Sequence, residues 1–233
     1  MHMRAPSMIP PEMLLLAYRS GIFPMADSRD DPEIYWVEPR RRAVIPLDKF
    51  HCSRSLRKVL KQDRFTVTCN QAFPEVMRGC AAPRPDHPES WINNAITISY
   101  EALHAIGHAH SIECWLDDQL VGGLYGVSFD QVFCGESMFS YATNASKIAL
   151  AWLVAAMRRA GFQLLDCQFI TDHLASMGAV EISQKIYIEK LSAACRGKEG
   201  EEAVLPAAFQ SLLDEAGASS PGKLIAQSLT QTS

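Results

Sequence analysis

Three runs of β-favouring residues, Ser111 to Leu116, Leu120 to Ser128 and Val132 to Phe139, follow one another with little more than Asp117-Asp118 and Asp130-Gln131 between them. Links that short cannot carry a crossover helix, so the strands they join must run antiparallel as a meander. A strongly apolar stretch follows, opened by Asn144 and stopped by Gly161 after Ala160, which predicts a buried helix with a polar cap and a glycine stop. Gln163 to Gln168 then reads as a further strand. A chain committed to a meander, a buried helix and a returning strand has to build a sheet with helices laid on it.

The flanks complete the order. Pro10 and Pro11 lead into a short helix over 12–18 that Gly21 ends. Phe65 to Cys69 alternates as a strand, Asn70 is placed to cap a helix over 71–80, and a second helix spans about 96–107. Helices over 172–177 and 183–194 close the series. The order β-α-α-β-β-β-α-β-α resembles the N-acetyltransferase-like acyltransferase fold, an α+β type of α/β architecture with a mixed sheet. The Pro-, Asp- and Arg-rich stretch over 22–42 reads as part of a small N-terminal domain over 1–43, ahead of a catalytic domain over 44–200. The tail from Gly217, rich in Ser, Thr and Gln, predicts weak order within a C-terminal extension over 201–233.

No apolar run approaches the ~18 residues of a membrane span, and the first ten residues lack the pattern of a secretion signal. The seven cysteines contain no Cys-x-x-Cys pair and are odd in number, which fits reduced thiols in a cytoplasm. Cys134 and Cys167 sit in apolar segments and read as small buried hydrophobes rather than nucleophiles.

The formal charge is −4, yet between Arg40 and Arg64 nine Lys or Arg stand against two Asp. Arg54, Arg57, Lys58 and Lys61 follow i, i+3, i+4, i+7 spacing, with Leu56, Val59 and Leu60 on the opposite side. A helix there presents a cationic stripe suited to a phosphate backbone, or else an ordinary solvated face.

Two constellations carry chemistry. Asp166 and Gln168 lie two apart on an apolar strand, so a carboxylate and an amide share one face as a proton-handling pair. Glu136 lies in the apolar run Phe133 to Ser140 beside Gly135, where it suits either a counter-charge for a cationic substrate group or a base. His104, His108 and His110 have partial metal spacing without a clear third ligand and acid, so no metal is expected. No Walker loop and no G-x-G-x-x-G is present, and no cofactor is called for.

Leu16-Ala-Tyr-Arg-Ser-Gly-Ile-Phe-Pro24, Ser90-Trp-Ile92, Gly107-His-Ala-His-Ser-Ile-Glu113, Val121-Gly-Gly-Leu-Tyr-Gly126, Asn144-Ala-Ser-Lys147 and Asp172-His-Leu-Ala-Ser-Met-Gly-Ala179 occur in order with the two constellations. Together they closely resemble the leucyl/phenylalanyl-tRNA:protein transferase family over about residues 14–190. The resemblance implies a bacterial cytoplasmic enzyme, a monomer without cofactor or membrane. Such an enzyme moves Leu or Phe, and less well Met, from charged tRNA to proteins with N-terminal Arg or Lys, marking them for N-degron proteolysis. It implies that Asp166 and Gln168 are the catalytic pair, with Gln168 on the acceptor amine, and that Glu136 holds the acceptor's basic side chain. Phe133, Met138, Leu124 and Leu153 would line the aminoacyl pocket. Trp91 would stack on the terminal adenosine, and Arg54, Arg57, Lys58 and Lys61 would meet tRNA phosphates. The family commonly carries tryptophans where this chain has Met25 and the pair Tyr35-Trp36, so Met25 brings a thioether to the second side of the adenosine.

Phe133 and Met138 are five residues apart and cannot share a face of an unbroken strand, so the pocket assignment predicts a bulge near Gly135. An acetyl-CoA-dependent acetyltransferase of the same fold is the alternative. It would need a Gly-rich pyrophosphate cradle where Ser140 to Ser146 has no glycine. A peptidoglycan aminoacyl transferase would usually need a second copy of the domain. A non-catalytic tRNA-binding module would have no use for Asp166, Gln168 and Glu136.

Overall fold

The computed structural model describes residues 8–83, 89–196, 204–217 and 220–230. The expectations for the first seven residues and for the 200/201 boundary lie outside them. Helix α1 (Pro11–Arg19) starts on proline and buries Leu14, Ala17 and Tyr18. Strands β1 (Phe23–Met25) and β2 (Tyr35–Val37) form a two-stranded antiparallel ribbon. Next come β3 (Arg41–Ile45) and α2 (Arg54–Leu60), whose first turn is capped by Ser53 Oγ accepting from Leu56 N–H. Then follow β4 (Thr66–Cys69), α3 (Phe73–Ala81), α4 (Asn94–Ala105), β5 (Ala109–Leu116), β6 (Gln119–Phe129), β7 (Val132–Ser140), α5 (Ala145–Ala160) and β8 (Leu164–Gln168). The chain continues through α6 (Asp172–Ala175), β9 (Val180–Ser183), α7 (Gln184–Cys195), α8 (Leu205–Ala216) and α9 (Pro221–Ser228).

The larger sheet has the order β4-β5-β6-β7-β8-β3-β9, antiparallel throughout except for β7 against β8. This is the expected mixed sheet, and the meander β5-β6-β7 stands as the spacing requires. One face is covered by α5 with α2, α8 and α9, burying Leu124, Phe133, Leu153 and Leu165. The other packs α1, α3, α4 and α7 over Tyr100, Tyr125, Cys134 and Tyr187.

Local outcomes differ in instructive ways. Gly161 ends α5 in the left-handed region (φ 81°), with Phe162 N–H donating to Met157 C=O, as its lack of a Cβ permits. Asn70 does not cap α3. It is itself left-handed (φ 61°), and its Oδ1 accepts from Ser111 N–H, while the buried Glu113 carboxylate of β5 accepts from Ala72 N–H at the helix start. Asn144 makes no side-chain cap, and Ser140 Oγ accepts from Ser146 N–H instead. The boundary expected near Ala43 falls inside β3, which lies between β8 and β9.

The C-terminal extension carries two helices, the second of them past Gly217, where composition predicts weak order. Helix α8 lays Leu205, Phe209 and Leu212 against α5, with the Phe209 ring 5.1 Å from Trp152. Helix α9 packs on α2, and Asp63 accepts from Gly222 N–H at 2.7 Å. Ile225, Ala226 and Leu229 supply a short apolar stripe that the polar residues around them dilute in composition.

What positions the site is a split in the sheet. β7 and β8 pair only from Val132↔Leu164 to Cys134↔Asp166 and then diverge. Both strands are bulged just past that point. In β7 the pairs with β6 step from Gly126↔Gly135 to Tyr125↔Ser137, leaving Glu136 extra, so the bulge predicted beside Gly135 is present. In β8 the pairs with β3 step from Val44↔Asp166 to Ala43↔Gln168, leaving Cys167 extra. The extra residue at Glu136 brings Phe133 and Met138 to the α5 face.

Candidate active site

The split opens into a cleft of about 660 Å³, within the range of small-molecule sites. Because it passes through the sheet, it has two chemically different sides. On the α5 side Leu124, Met138, Leu150, Leu153 and Leu165 make an apolar wall, and on the other Tyr125, Glu136, Ser137 and Gln168 bring polar groups. Tyr141, Phe169 and His173 complete the lining.

Gln168 holds an unusual backbone conformation. Its φ is 55°, and the N–H of Phe169 donates to the C=O of Cys167 across it at 2.7 Å, a tight turn that ends β8. A non-glycine residue there is strained, and such strain persists where surrounding contacts over-determine it. The contact that does so is Asp166, whose Oδ1 accepts from Gln168 N–H at 2.9 Å. The turn sends the Gln168 side chain to Glu136, where Nε2 donates to Oε1 at 3.3 Å. Asp166 therefore orients Gln168 through its backbone, a different route from the side-chain contact that strand alternation suggests.

Asp166 is wholly buried and paired with Arg42, itself 1% exposed, through Nη2 to Oδ2 at 2.6 Å and Nε to Oδ1 at 2.9 Å. Tyr187 donates to Oδ2 at 3.1 Å. Together with the Gln168 amide these donors occupy both carboxylate oxygens, so Asp166 has little capacity left to accept a substrate proton. Its geometry suits holding Gln168 in place. The Arg42 guanidinium also donates to Gly21 C=O at 3.0 Å and lies between the rings of Phe23 (4.7 Å) and Tyr187 (4.4 Å).

Glu136 is half-buried, and burial pushes its carboxyl up to about 8 against the hydrogen bonds from Tyr18 and Tyr100 that pull it down. Tyr100 donates to Oε2 at 3.2 Å, and its hydroxyl is in turn bonded to that of Tyr18. Burial likewise raises the thiols of Cys134 and Cys167, in keeping with inert cysteines, and none of the seven cysteines is in a disulfide.

Of the residues singled out in the sequence, Gln168, Glu136, Met138, Leu124 and Leu153 meet in the cleft, with Asp166 immediately behind Gln168. Phe133 does not reach the wall. It is fully buried beside Leu165, packing edge-on to Phe162 at 6.5 Å. Trp91 and Met25 are half-buried against the core under α1 and α4 rather than on the cleft wall. Trp36, 41% exposed, belongs to a separate surface groove with Met13 and Ile34. Arg54, Lys58 and Lys61 are exposed on α2 and Arg57 is half-buried, with Leu56 and Leu60 inward, as the helical spacing predicts.

Arg42 is the main residue that the sequence reading missed. Within Arg40-Arg41-Arg42 it counted toward the basic patch, whereas it is buried and neutralised by Asp166, and Arg41 pairs with Glu181. The signal available was an arginine opening the apolar run Ala43-Val-Ile45. The three histidines bond to the protein separately, and burial pushes His110 down to about 4. No metal-holding group of His, Cys, Asp or Glu occurs among the described residues. No helix among them is long and apolar enough to cross a membrane.

Comparison with known proteins gives a consistent result. The family model "Leucyl/phenylalanyl-tRNA protein transferase" matches residues 44–192, and the model of that family's N-terminal domain matches residues 7–40. A leucyl/phenylalanyl-tRNA–protein transferase of Novosphingobium aromaticivorans is 57% identical, covering 98% of each chain. One from Zymomonas mobilis is 58% identical over 81% of this chain and 70% of its own. Among solved structures, a conserved protein of unknown function from Staphylococcus epidermidis aligns over 78% of this chain and 67% of its own at 12% identity and a TM-score of 0.41, too slight to carry an argument.

Proposed function

The chain belongs to the leucyl/phenylalanyl-tRNA protein transferase family, and from that premise we propose that it moves Leu or Phe, and less well Met, from charged tRNA to the N-terminal Arg or Lys of an acceptor protein. The observation that carries this reading is the two-sided cleft, apolar toward α5 and carboxylate-bearing opposite, with Gln168 at the junction. The donor's side chain enters the Leu-lined half. Such a pocket separates apolar side chains from one another by only ~1–3 kcal/mol, which accounts for acceptance of more than one.

An aminoacyl ester is an activated donor, so the protein needs to orient the amine and manage its proton. The acceptor amine attacks the ester carbonyl, the amide C–N bond forms, the ester C–O bond breaks, and the amine's proton ends on the departing 3′ oxygen. Because Gln168 Nε2 donates to Glu136, its Oε1 is left to accept from the attacking amine. Glu136 meets the acceptor's cationic side chain. Charged tRNA and reduced thiols both belong to the cytoplasm, where the enzyme acts as a monomer and its products enter N-degron proteolysis.

The direct test is transfer of labelled leucine from Leu-tRNA to a peptide beginning with Arg, beside one beginning with Gly and an acetyl-CoA arm. Incorporation into the Arg peptide alone supports the reading, and acetyl-CoA turnover without leucine transfer overturns it.

Two expected results bear on the parts. With Glu136 titrating near 8 in the empty site, binding a cation below that pH requires loss of its proton. The KM for an Arg peptide should therefore fall as pH rises from 6 toward 8 and level off above it. Glu136→Gln, measured alongside, should lack that component and have a higher KM throughout, and superimposable profiles would sink the assignment. Separately, Arg57→Glu with Lys58→Glu should weaken charged-tRNA affinity and flatten its dependence on salt. If neither moves in a filter-binding titration, the stripe on α2 is only a solvated face.

A further inference from the structure

Three tyrosines cluster at the polar side of the cleft, and the hydroxyls of two are engaged. Tyr18 and Tyr100 bond each other, and Tyr100 donates to Glu136. Tyr125 differs. It stands opposite Ser137 in the β6–β7 ladder, next to the bulged Glu136, with its ring edge-on to Tyr100 at 5.7 Å and to Phe73 at 5.9 Å. It is fully buried and lines the cleft, yet its hydroxyl has no hydrogen-bond partner. An unmet buried hydroxyl is costly to keep, and one carried by a residue that lines a binding cleft calls for a ligand as its partner.

We propose that the Tyr125 hydroxyl is the second protein ligand, beside Glu136, for the cationic side chain of the acceptor's first residue. This rests on the reading of Glu136 as the acceptor's counter-charge. The chemistry of the corner selects a cation. Glu136 receives bonds from Tyr100 on Oε2 and Gln168 on Oε1 as well as one from Tyr18, which leaves the carboxylate capacity for a further donor. The Tyr125 oxygen adds further acceptor capacity, so a ligand that meets both oxygens must bring donors. A guanidinium brings five and an ammonium three, with no acceptor to be left unmet. A carboxylate or phosphate would be repelled by Glu136 once it is ionised. The surrounding aromatic rings add favourable surface for a cation. The planar fork of a guanidinium reaches two separate acceptors at once more readily than a single ammonium does, so Tyr125 should favour Arg over Lys.

The variant that isolates the hydroxyl is Tyr125→Phe, which keeps the ring. Steady-state transfer at saturating Leu-tRNA would be measured for peptides beginning with Arg and with Lys, in the parent chain, Tyr125→Phe and Glu136→Gln, together with thermal midpoints. Tyr125→Phe is expected to raise the KM for the Arg peptide roughly 10-fold and that for the Lys peptide less. It should also raise the midpoint by about 2–6 °C, because it removes an unsatisfied group. A purely structural hydroxyl would not move the ratio of the two KM values. An unchanged KM for both peptides overturns the proposal. If Glu136→Gln raises the acceptor KM while Tyr125→Phe does not, the Tyr125 assignment falls alone. If neither raises it, the reading of Glu136 falls with it.

Discussion

Gln168→Ala is expected to slow single-turnover leucine transfer by ~10²-fold or more while charged-tRNA binding stays close to that of the parent chain. The side chain sits where the apolar and polar halves of the cleft meet, so its loss removes one donor to Glu136 and, on the function proposed above, the acceptor for the attacking amine. The backbone offers a control. Gln168 holds a φ of 55°, a region that alanine tolerates poorly and glycine freely. Gln168→Gly should therefore be about 1 kcal/mol more stable than Gln168→Ala and equally slow. That pairing separates strain from chemistry. Rates near that of the parent in both variants would remove Gln168 from the chemical step.

How much of this site was legible depended on whether a residue broke a local pattern. Asp166, Gln168 and Glu136 stand out as polar residues inside apolar strands, and all three prove to be at or directly behind the cleft. The bulge at Glu136 followed from the pocket that the resemblance implies for Phe133 and Met138, which cannot otherwise share a face. Arg42 broke no pattern. It follows two arginines, and its meaning comes from its side-chain bond to Asp166 on the neighbouring strand, 124 residues away. The tyrosines behind Glu136 read as ordinary aromatic residues of α1, α4 and β6, because what distinguishes them is which hydroxyl is engaged and which is not. Helix α9 was hidden because its apolar stripe is short and small polar residues surround it in sequence. The divergence of β7 from β8 could not be read from either strand alone, since it arises from a bulge in each and from the turn at Gln168.

The pair beneath the cleft should respond most strongly of all. Arg42→Ala is expected to destabilise the chain by ~3–5 kcal/mol, because it leaves the Asp166 carboxylate with no exposed surface and no countercharge. Tyr187 and the Gln168 amide would still donate to it, but neither carries a charge. The loss also removes the bond to Gly21 C=O and the stacking on Phe23 and Tyr187, which together tie the segment after α1 to β8 and α7. Asp166→Ala should cost a similar amount by stranding the guanidinium instead. A loss of activity in either variant would therefore say little about mechanism. Replacing both at once resolves this, since an apolar pair such as Arg42→Met with Asp166→Leu strands no charge and should recover much of the stability. Transfer should not recover with it, because Gln168 N–H has lost the acceptor that fixes its turn. Denaturant titrations read beside single-turnover rates test both halves of the claim. A double variant that is stable and transfers at the parent rate would reduce the ion pair to a structural strut. One that is stable yet slow would show that Asp166 serves transfer beyond its part in stability, as its bond to Gln168 N–H requires.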